Sequence, residues 1–338
     1  MNHQTKITLA HGSGGRATRE LIGRLFQTYF ANPVLDRLED AAVLPPMSGE
    51  IAMTTDSYVI TPLVFPGGDI GKLAVCGTVN DLWMLAAEPC YLSAGFILEE
   101  GLEIGLLEQI VVSMAAEARK QKVIIVAGDT KVINGQGGLY INTTGIGRRP
   151  IGREKRLELG RERLAVGDSI LVSGTLGNHH ACILAQRLGI ESPIQSDCAS
   201  LGHMVRALIQ DGIDIKIMRD ITRGGLATVL NEIATDLCGI RLEETAIPID
   251  AEVQAFSSLL GLDPLYMANE GKFVCVVAQA HTERALEILH ACELGQQAAA
   301  IGQIVGRSRE DRAVTVRTRL GGTRVVDLLY GEGLPRIC

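Results

Sequence analysis

Ile104-Gly-Leu-Leu-Glu-Gln-Ile-Val-Val-Ser-Met-Ala-Ala-Glu-Ala-Arg-Lys-Gln-Lys-Val-Ile-Ile-Val-Ala127 is the stretch on which the fold turns. Leu107, Ile110, Val111, Met114 and Ala118 recur at helical spacing, which predicts an amphipathic helix over Ile104–Gln121. Val123–Ala127 follows at once as a short β-type run. A helix feeding directly into a strand is a unit of a mixed α/β fold. Upstream, Ala17–Tyr29 sets Leu21, Ile22, Leu25, Phe26 and Tyr29 on one helical face, and Gly71–Ala87 reads as a further helix. Ile51–Thr55, Tyr91–Leu98 and Leu139–Ile146 read as strands.

Around Arg148–Arg163 the apolar pattern gives way to Arg, Lys and Glu, as an exposed connector requires. A second α/β series follows. Strands are expected at Ser169–Ser173, Ile215–Met218 and Phe273–Ala278, and helices near His180–Leu188, Ala199–Gln210, Leu226–Cys238 and Thr282–Ala291. Two α/β domains are therefore expected, 1–150 and 151–306. A tail region, 307–338, is rich in Arg, with Gly331 and Gly333 suggesting mobility near its end.

At 338 residues and 36.2 kDa, with 46% hydrophobic and 21% charged residues, the chain can bury a real core. Its net charge of -7 gives no domain-wide basic footprint for nucleic acid or anionic lipid. Charges interrupt every apolar stretch before a spanning helix is complete, and Met1–Gly15 lacks the pattern of a signal peptide. A cytoplasmic protein is expected. The eight cysteines are dispersed, with no C-x-x-C pair, so neither a zinc site nor a disulfide framework is expected.

Acidic residues recur at the edges of the expected elements: Asp40, Asp56, Asp81 after Asn80, and Asp129 after Gly128. Such hard oxygen ligands suit Mg²⁺ carried by a nucleotide, though each Asp is equally at home in a turn or helix cap. Glycine-rich segments precede three helices, at His11–Gly15, Pro66–Asp69 and Arg223–Gly225. Each can cradle a phosphate or simply turn. Gly67–Lys72 is one residue short of a Walker A loop and has Leu73 where Ser or Thr is needed. Gly12-x-Gly14-x-x-Ala17 fits the short dinucleotide fingerprint, but little sequence precedes it to form the strand, and Asn32-Pro33 interrupts the next one. Glu270 lies just before a buried-type strand, where its proton affinity can rise, or it is a turn residue beside a capping Asn269. Lys131 is either a phosphate-neutralising group or base, or a solvated surface lysine. Adjacent His179 and His180 do not share a helix face and read as polar helix-start residues. Cys338 ends the chain outside any prenylation box, and a thiol on a flexible, solvated tip is a good group acceptor.

Together these motifs resemble the HypE family of hydrogenase maturation proteins. The resemblance spans essentially the whole chain and rests on Ala10–Gly15, Thr54–Ser57, Pro66–Lys72, Gly77–Asp81, Gly128–Lys131, Asp220–Gly225, Asn269–Gly271 and the ending Pro335-Arg-Ile-Cys338. It implies two α/β domains of the aminoimidazole ribonucleotide synthetase-like type and a homodimer. It also implies an ATP-dependent carbamoyl dehydratase that converts an S-carbamoyl group on its own Cys338 to thiocyanate, the source of the cyanide ligands of nickel-iron hydrogenases. HypF is implied as the carbamoyl donor enzyme and the HypC–HypD complex as the cyanide acceptor. Carried onto this sequence, Asp40, Asp56, Asp81 and Asp129 would hold Mg²⁺ and the triphosphate. Lys72, Asn80, Gly128, Thr130, Asp220 and Arg223 would contact the nucleotide, and Lys131 and Glu270 would serve proton removal and charge stabilisation. Trp83 and Met84 stand where relatives often carry small apolar residues, a departure expected to affect packing. Two other readings stay open: a non-catalytic carrier that holds a modified Cys338 and docks the partners, and a dinucleotide-dependent oxidoreductase built on Gly12–Ala17.

Overall fold

Helix and strand alternate through the first half as the hydrophobic spacing requires. The computed structural model describes residues 5–149, 158–308, 311 and 313–328. Helix α1 (Arg16–Leu21) runs on through a π-helical stretch, Ile22–Gln27, and a last turn, Thr28–Phe30. After it come β1 (Glu50–Tyr58), α2 (Ile70–Met84), β2 (Glu88–Glu99), α3 (Ile104–Gln121), β3 (Ile124–Ile133) and β4 (Leu139–Arg149). Helix α3 has the expected bounds, and all five residues of its predicted face are buried. The sheet order is β1-β4-β2-β3, antiparallel except where α3 carries the chain from β2 to a parallel β3.

Period-two alternation along β1 separates the two faces of this sheet. Thr54 and Tyr58 reach Asp81 and Thr78 of α2, while Ile51 and Met53 on the other face remain 65% and 69% exposed. Ile97, Ile124 and Ile133 are also exposed, so helices cover one face and leave an apolar face open.

The second half contains β5 (Ser169–Val172), α4 (Asn178–Arg187), α5 (Gly202–Gln210), β6 (Ile215–Asp220), α6 (Gly225–Ile233) and β7 (Cys238–Glu243). It continues with α7 (Ala251–Leu260), β8 (Phe273–Val277), α8 (Thr282–His290), β9 (Ala299–Gly306), β10 (Val314–Arg317) and β11 (Thr323–Val325). Seven strands make one sheet, β11-β10-β7-β9-β5-β8-β6. Strand β8 is buried throughout: Val274 and Val276 enter one core, and Phe273, Cys275 and Val277 the other. A strand covered on both faces reads as a continuous apolar run.

Three expectations are corrected here. The helix expected over Leu226–Cys238 stops at Ile233, and Cys238 begins β7. Thr235 Oγ1 accepts the N–H groups of Leu237 and Cys238, a local bond that competes with helix. The helix expected from Ala199 starts at Gly202, because Ala199 and Leu201 bond to Asn80 instead. The region 307–338 is not a tail from its start, since β10 and β11 add to the sheet with Val314 and Val316 buried. Its final segment, with Tyr330, Gly331, Gly333, Pro335 and Cys338, lies outside the described residues. Half of the connector, 150–157, does too.

The halves are joined along α2. Ile183, Cys198 and Ala268 enter the core of the first half, and Trp83, Met84 and Ala86 enter a core of the second. Arg206 lies 5.1 Å over the Trp83 ring. Asn80 is 2% exposed; its amide donates to the Ala199 carbonyl (3.0 Å), and its oxygen accepts the Leu201 N–H (2.8 Å). Ser196 N–H donates to the Pro66 carbonyl at 2.8 Å. This approach needs glycine at 67, where φ is +97° and a Cβ would stand 2.5 Å from the Ser196 oxygen.

Candidate active site

Four segments bring carboxylates to one region at the junction of the halves. Asp56 lies on the helix-facing side of β1, and Asp81 on α2 accepts a 2.8 Å hydrogen bond from Thr54 two residues upstream of Asp56. From the second half, Asp220 ends β6, opposite Phe273 at the start of β8, and Glu270 precedes that strand by one turn.

Asp81, Asp220 and Glu270 hold their protons unusually tightly, with burial as the leading cause. Asp220 is pushed up to about 7 by burial and by Asp81, with Arg219 opposing. Glu270 is raised well above the usual range by burial, then by Asp197, Asp220 and Asp56, with Arg223 opposing; some of its surface stays accessible, but its carboxyl is enclosed by protein. Asp81 is raised by burial and by Asp56, against the Thr54 bond, Arg219 and Arg223. Carboxylates drawn together like this are where a cation or a proton-transfer step is accommodated. Arg219 is paired with Glu232 at 2.6 Å, whereas Arg223 stands exposed in the turn before α6.

A second locus lies on the same, helix-covered face of the first sheet, toward its β3 edge. Gly12, Gly14, Phe26, Phe30, Asp40, Phe96 and residues 125–131 line a cavity of about 390 Å³. Phe26 and Phe96 meet at 4.7 Å between ring centroids, giving the cavity an aromatic wall. Its volume and mixed lining fit a nucleoside-sized ligand. Gly128, Asp129, Thr130 and Lys131 border it from β3; Asp129 and Lys131 are exposed and ion-paired at 3.1 Å.

The structure thus divides the predicted site residues. Asp56, Thr143, Ala94 and Gly128 form one row across the sheet, and Ser57, Asn142, Gly95 and Asp129 form the next. Successive residues face opposite sides, and β1 and β3 are three strand spacings apart, roughly 14 Å. One cation within one chain cannot touch Asp56, Asp81 and Asp129 together. Among the described residues no three His, Cys, Asp or Glu are already gathered into a metal cage. Mg²⁺ takes one or two carboxylates and completes its shell with phosphate and water, so a pair such as Asp56 and Asp81 would supply enough protein donors for it.

Asn80 has both polar ends engaged in the seam. Lys72 donates to the Gly67 carbonyl at 2.8 Å, and Asp69 accepts the Gly71 and Lys72 N–H groups, so that helix start is capped by the protein itself. Asn269 is a cap, accepting the Gly177 N–H at the start of α4. His179 and His180 do start α4, but buried: His179 bonds Ser196 Oγ at 2.8 Å and meets Phe65 edge-on. Gly12 closes a 3-10 turn, not a strand-to-helix turn, so the dinucleotide fingerprint has no structural counterpart. Thr54 lies in the Thr54–Ser57 motif but carries no expected role of its own, and Asp197, in an irregular loop without periodicity, has no sequence signal.

Residues 38–149 and 165–315 match the family descriptions "AIR synthase related protein, N-terminal domain" and "AIR synthase related protein, C-terminal domain". Two such domains meeting along a carboxylate-rich seam define the chain as an AIR synthase-related protein. Carbamoyl dehydratase HypE of Rhodobacter capsulatus is 49% identical to it over 98% of both chains, and the Escherichia coli protein of that name is 46% identical over 98% of this chain and 99% of its own. A crystal structure of hydrogenase maturation protein HypE in complex with ATP superposes with a TM-score of 0.90, at 47% identity over 98% of this chain and 99% of that one. The chain belongs to the HypE family. A crystal structure of a HypE–HypF complex also matches, with a TM-score of 0.77 and 42% identity over 91% of this chain and 99% of that one.

Proposed function

We propose that this chain binds Mg²⁺-ATP and dehydrates an S-carbamoyl group carried on Cys338 to a thiocyanate. The observation that carries the reading is the meeting of Asp56, Asp81, Asp220 and Glu270, from four segments, in a chain of the HypE family. The change, S–C(=O)NH₂ to S–C≡N with loss of water, requires a poor oxygen leaving group to be activated and two N–H protons to be removed. ATP, when bound with Mg²⁺, supplies the phosphoryl group that activates that oxygen. Asp56 and Asp81 would hold Mg²⁺, Thr54 fixing the Asp81 carboxylate, and Arg223 and Asp220 would border the triphosphate. Glu270 would take an N–H proton; a raised proton affinity makes it the stronger base once ionised. Asn80 would position α2 through the seam.

The cavity beside Asp40, Gly128, Asp129, Thr130 and Lys131 would hold the nucleoside end. A homodimer closing over the apolar face that includes Ile51, Met53 and Ile97 would give Asp129 and Lys131 a second set of neighbours, which one chain denies them. HypF would load Cys338 from carbamoyl phosphate and the HypC–HypD complex would take the cyanide, in the cytoplasm; no helix among the described residues is long and apolar enough to cross a membrane. In this reading the first domain is 1–150, the second begins at 151 and runs past 306 through β11 at Val325, and the carrier segment after it ends at Cys338.

Intact-mass analysis of the chain incubated with HypF, carbamoyl phosphate and ATP tests it. The expected record is a carbamoyl adduct at Cys338 that loses one water when ATP is present. A stable carbamoyl adduct, unchanged by ATP, would instead identify a carrier.

A further inference from the structure

We propose that Asp197 is the positioning residue for Glu270, clamping the backbone of the Glu270 turn through both carboxylate oxygens. The inference rests on the role given to Glu270 above. Asp197 lies in the irregular stretch before α5, and its side chain is 4% exposed. Oδ1 accepts the Glu270 N–H at 3.1 Å, and Oδ2 accepts the Gly271 N–H at 3.2 Å. Lys272, with a side chain 11% exposed, lies 3.4 Å from Oδ2. The Ala199 N–H donates back to the Glu270 carbonyl at 3.3 Å, so the two segments are laced from both sides. Glycine is required at 271, because any Cβ there would strike the Asp197 carbonyl.

A buried carboxylate meeting two successive N–H groups and an ammonium is well satisfied, and such bonds to a charged acceptor are the strong ones. Its charge also acts on Glu270, as the largest influence after burial. The other groups facing Glu270 are Asp220 from β6, Asp56 and Tyr58 from β1, and Arg223 from the turn before α6. Asp197 therefore fixes where the Glu270 carboxyl stands and how firmly it holds its proton.

The test is Asp197→Asn in the full-length chain, carbamoylated at Cys338, with single-turnover dehydration followed against pH at saturating Mg²⁺-ATP. Asn keeps one acceptor but removes the charge. The acid limb of the rate profile should move down by about one pH unit, a tenfold loss of Glu270 proton affinity, and the maximal rate should fall. The KM for ATP should change less than about twofold, since only the proton-removal geometry is disturbed. Asp197→Ala should be slower still, having lost both acceptors. An unchanged limb and rate in folded Asp197→Asn, or a loss confined to ATP binding, would overturn the proposal.

A measurement on the unsubstituted chain guards against variants that do not fold. The infrared band of the ¹³C-labelled Glu270 carboxyl, identified by its absence in Glu270→Gln, should titrate well above the ordinary glutamate range. Titration within that range would also overturn the proposal. If Glu270→Gln dehydrates normally, the role of Glu270 in the reaction falls, while the infrared shift between the parent and Asp197→Asn still decides whether Asp197 controls it.

Discussion

Replacing Asn80 with Ala separates a structural strut from a nucleotide contact. The substitution removes the oxygen that accepts the Leu201 N–H at 2.8 Å and the amide that donates to the Ala199 carbonyl at 3.0 Å. Leu201 is fully buried, so no water can replace the lost acceptor. An orphaned buried N–H costs about 1–3 kcal/mol, and the carbonyl, with a second lone pair to use, about 1 more at most. Seam destabilisation of roughly 1–4 kcal/mol follows, which for a domain of this size lowers the unfolding midpoint by about 2–16 °C. Differential scanning calorimetry gives the midpoint and isothermal titration gives ATP affinity. Affinity should fall only about threefold, since a loosened α2 displaces Asp81 slightly without removing a ligand. An unchanged midpoint with ATP affinity reduced more than about tenfold would refute the reasoning and return Asn80 to the nucleotide.

Cys338→Ser should abolish cyanide formation and leave ATP binding intact; normal cyanide formation by the variant would exclude Cys338 as the carrier thiol. Glu270→Gln should accept the carbamoyl group from HypF yet stall before water is lost, so an adduct that dehydrates at the parental rate would remove Glu270 from the chemistry. Asp220 is held at about 7, above its unfolded value of 3.8, so the nucleotide-free native state binds the extra proton. Its contribution is present below pH 4 and is lost as pH rises to 7, a change of roughly 3–4 kcal/mol that Asp220→Asn should abolish in urea titrations across that range. His180, lowered to about 4 by burial and by His179 and Arg187, acts with the opposite sign: its contribution is present above pH 6.5 and is lost as pH falls to 4. His180 Nε2 has no partner among the described residues, so His180→Leu should weaken the acid destabilisation, and an unchanged acid limb of stability would contradict that assignment.

What could be read from the sequence was local or periodic. Helix α3 was legible because five apolar residues at helical spacing met no competing signal, and β8 because a strand buried on both faces is a simple apolar run. The ordered glycine-and-aspartate motifs carried the family, to which the 49% identical HypE of Rhodobacter capsulatus also belongs. Strands β7, β9, β10 and β11 of the second sheet were missed: β7, β10 and β11 are six residues or fewer and carry Arg or Glu, and a register shift between Ala300 and Gly302 breaks the alternation of β9. Tertiary structure alone decided the site. Spacing along the chain does not say which side of a strand a carboxylate faces, and that alternation parts Asp56 from Asp129. Nor can it show that Asn80 spends both ends of its amide on the seam, or that Asp197 reaches across 73 residues to the Glu270 N–H. The sequence by itself determined the elements and the chemical kinds of residue available, because those depend on short-range sterics and periodicity. The packing of one half against the other determined which of them meet, and how strongly each holds its proton, because burial and charge are properties of the assembled chain.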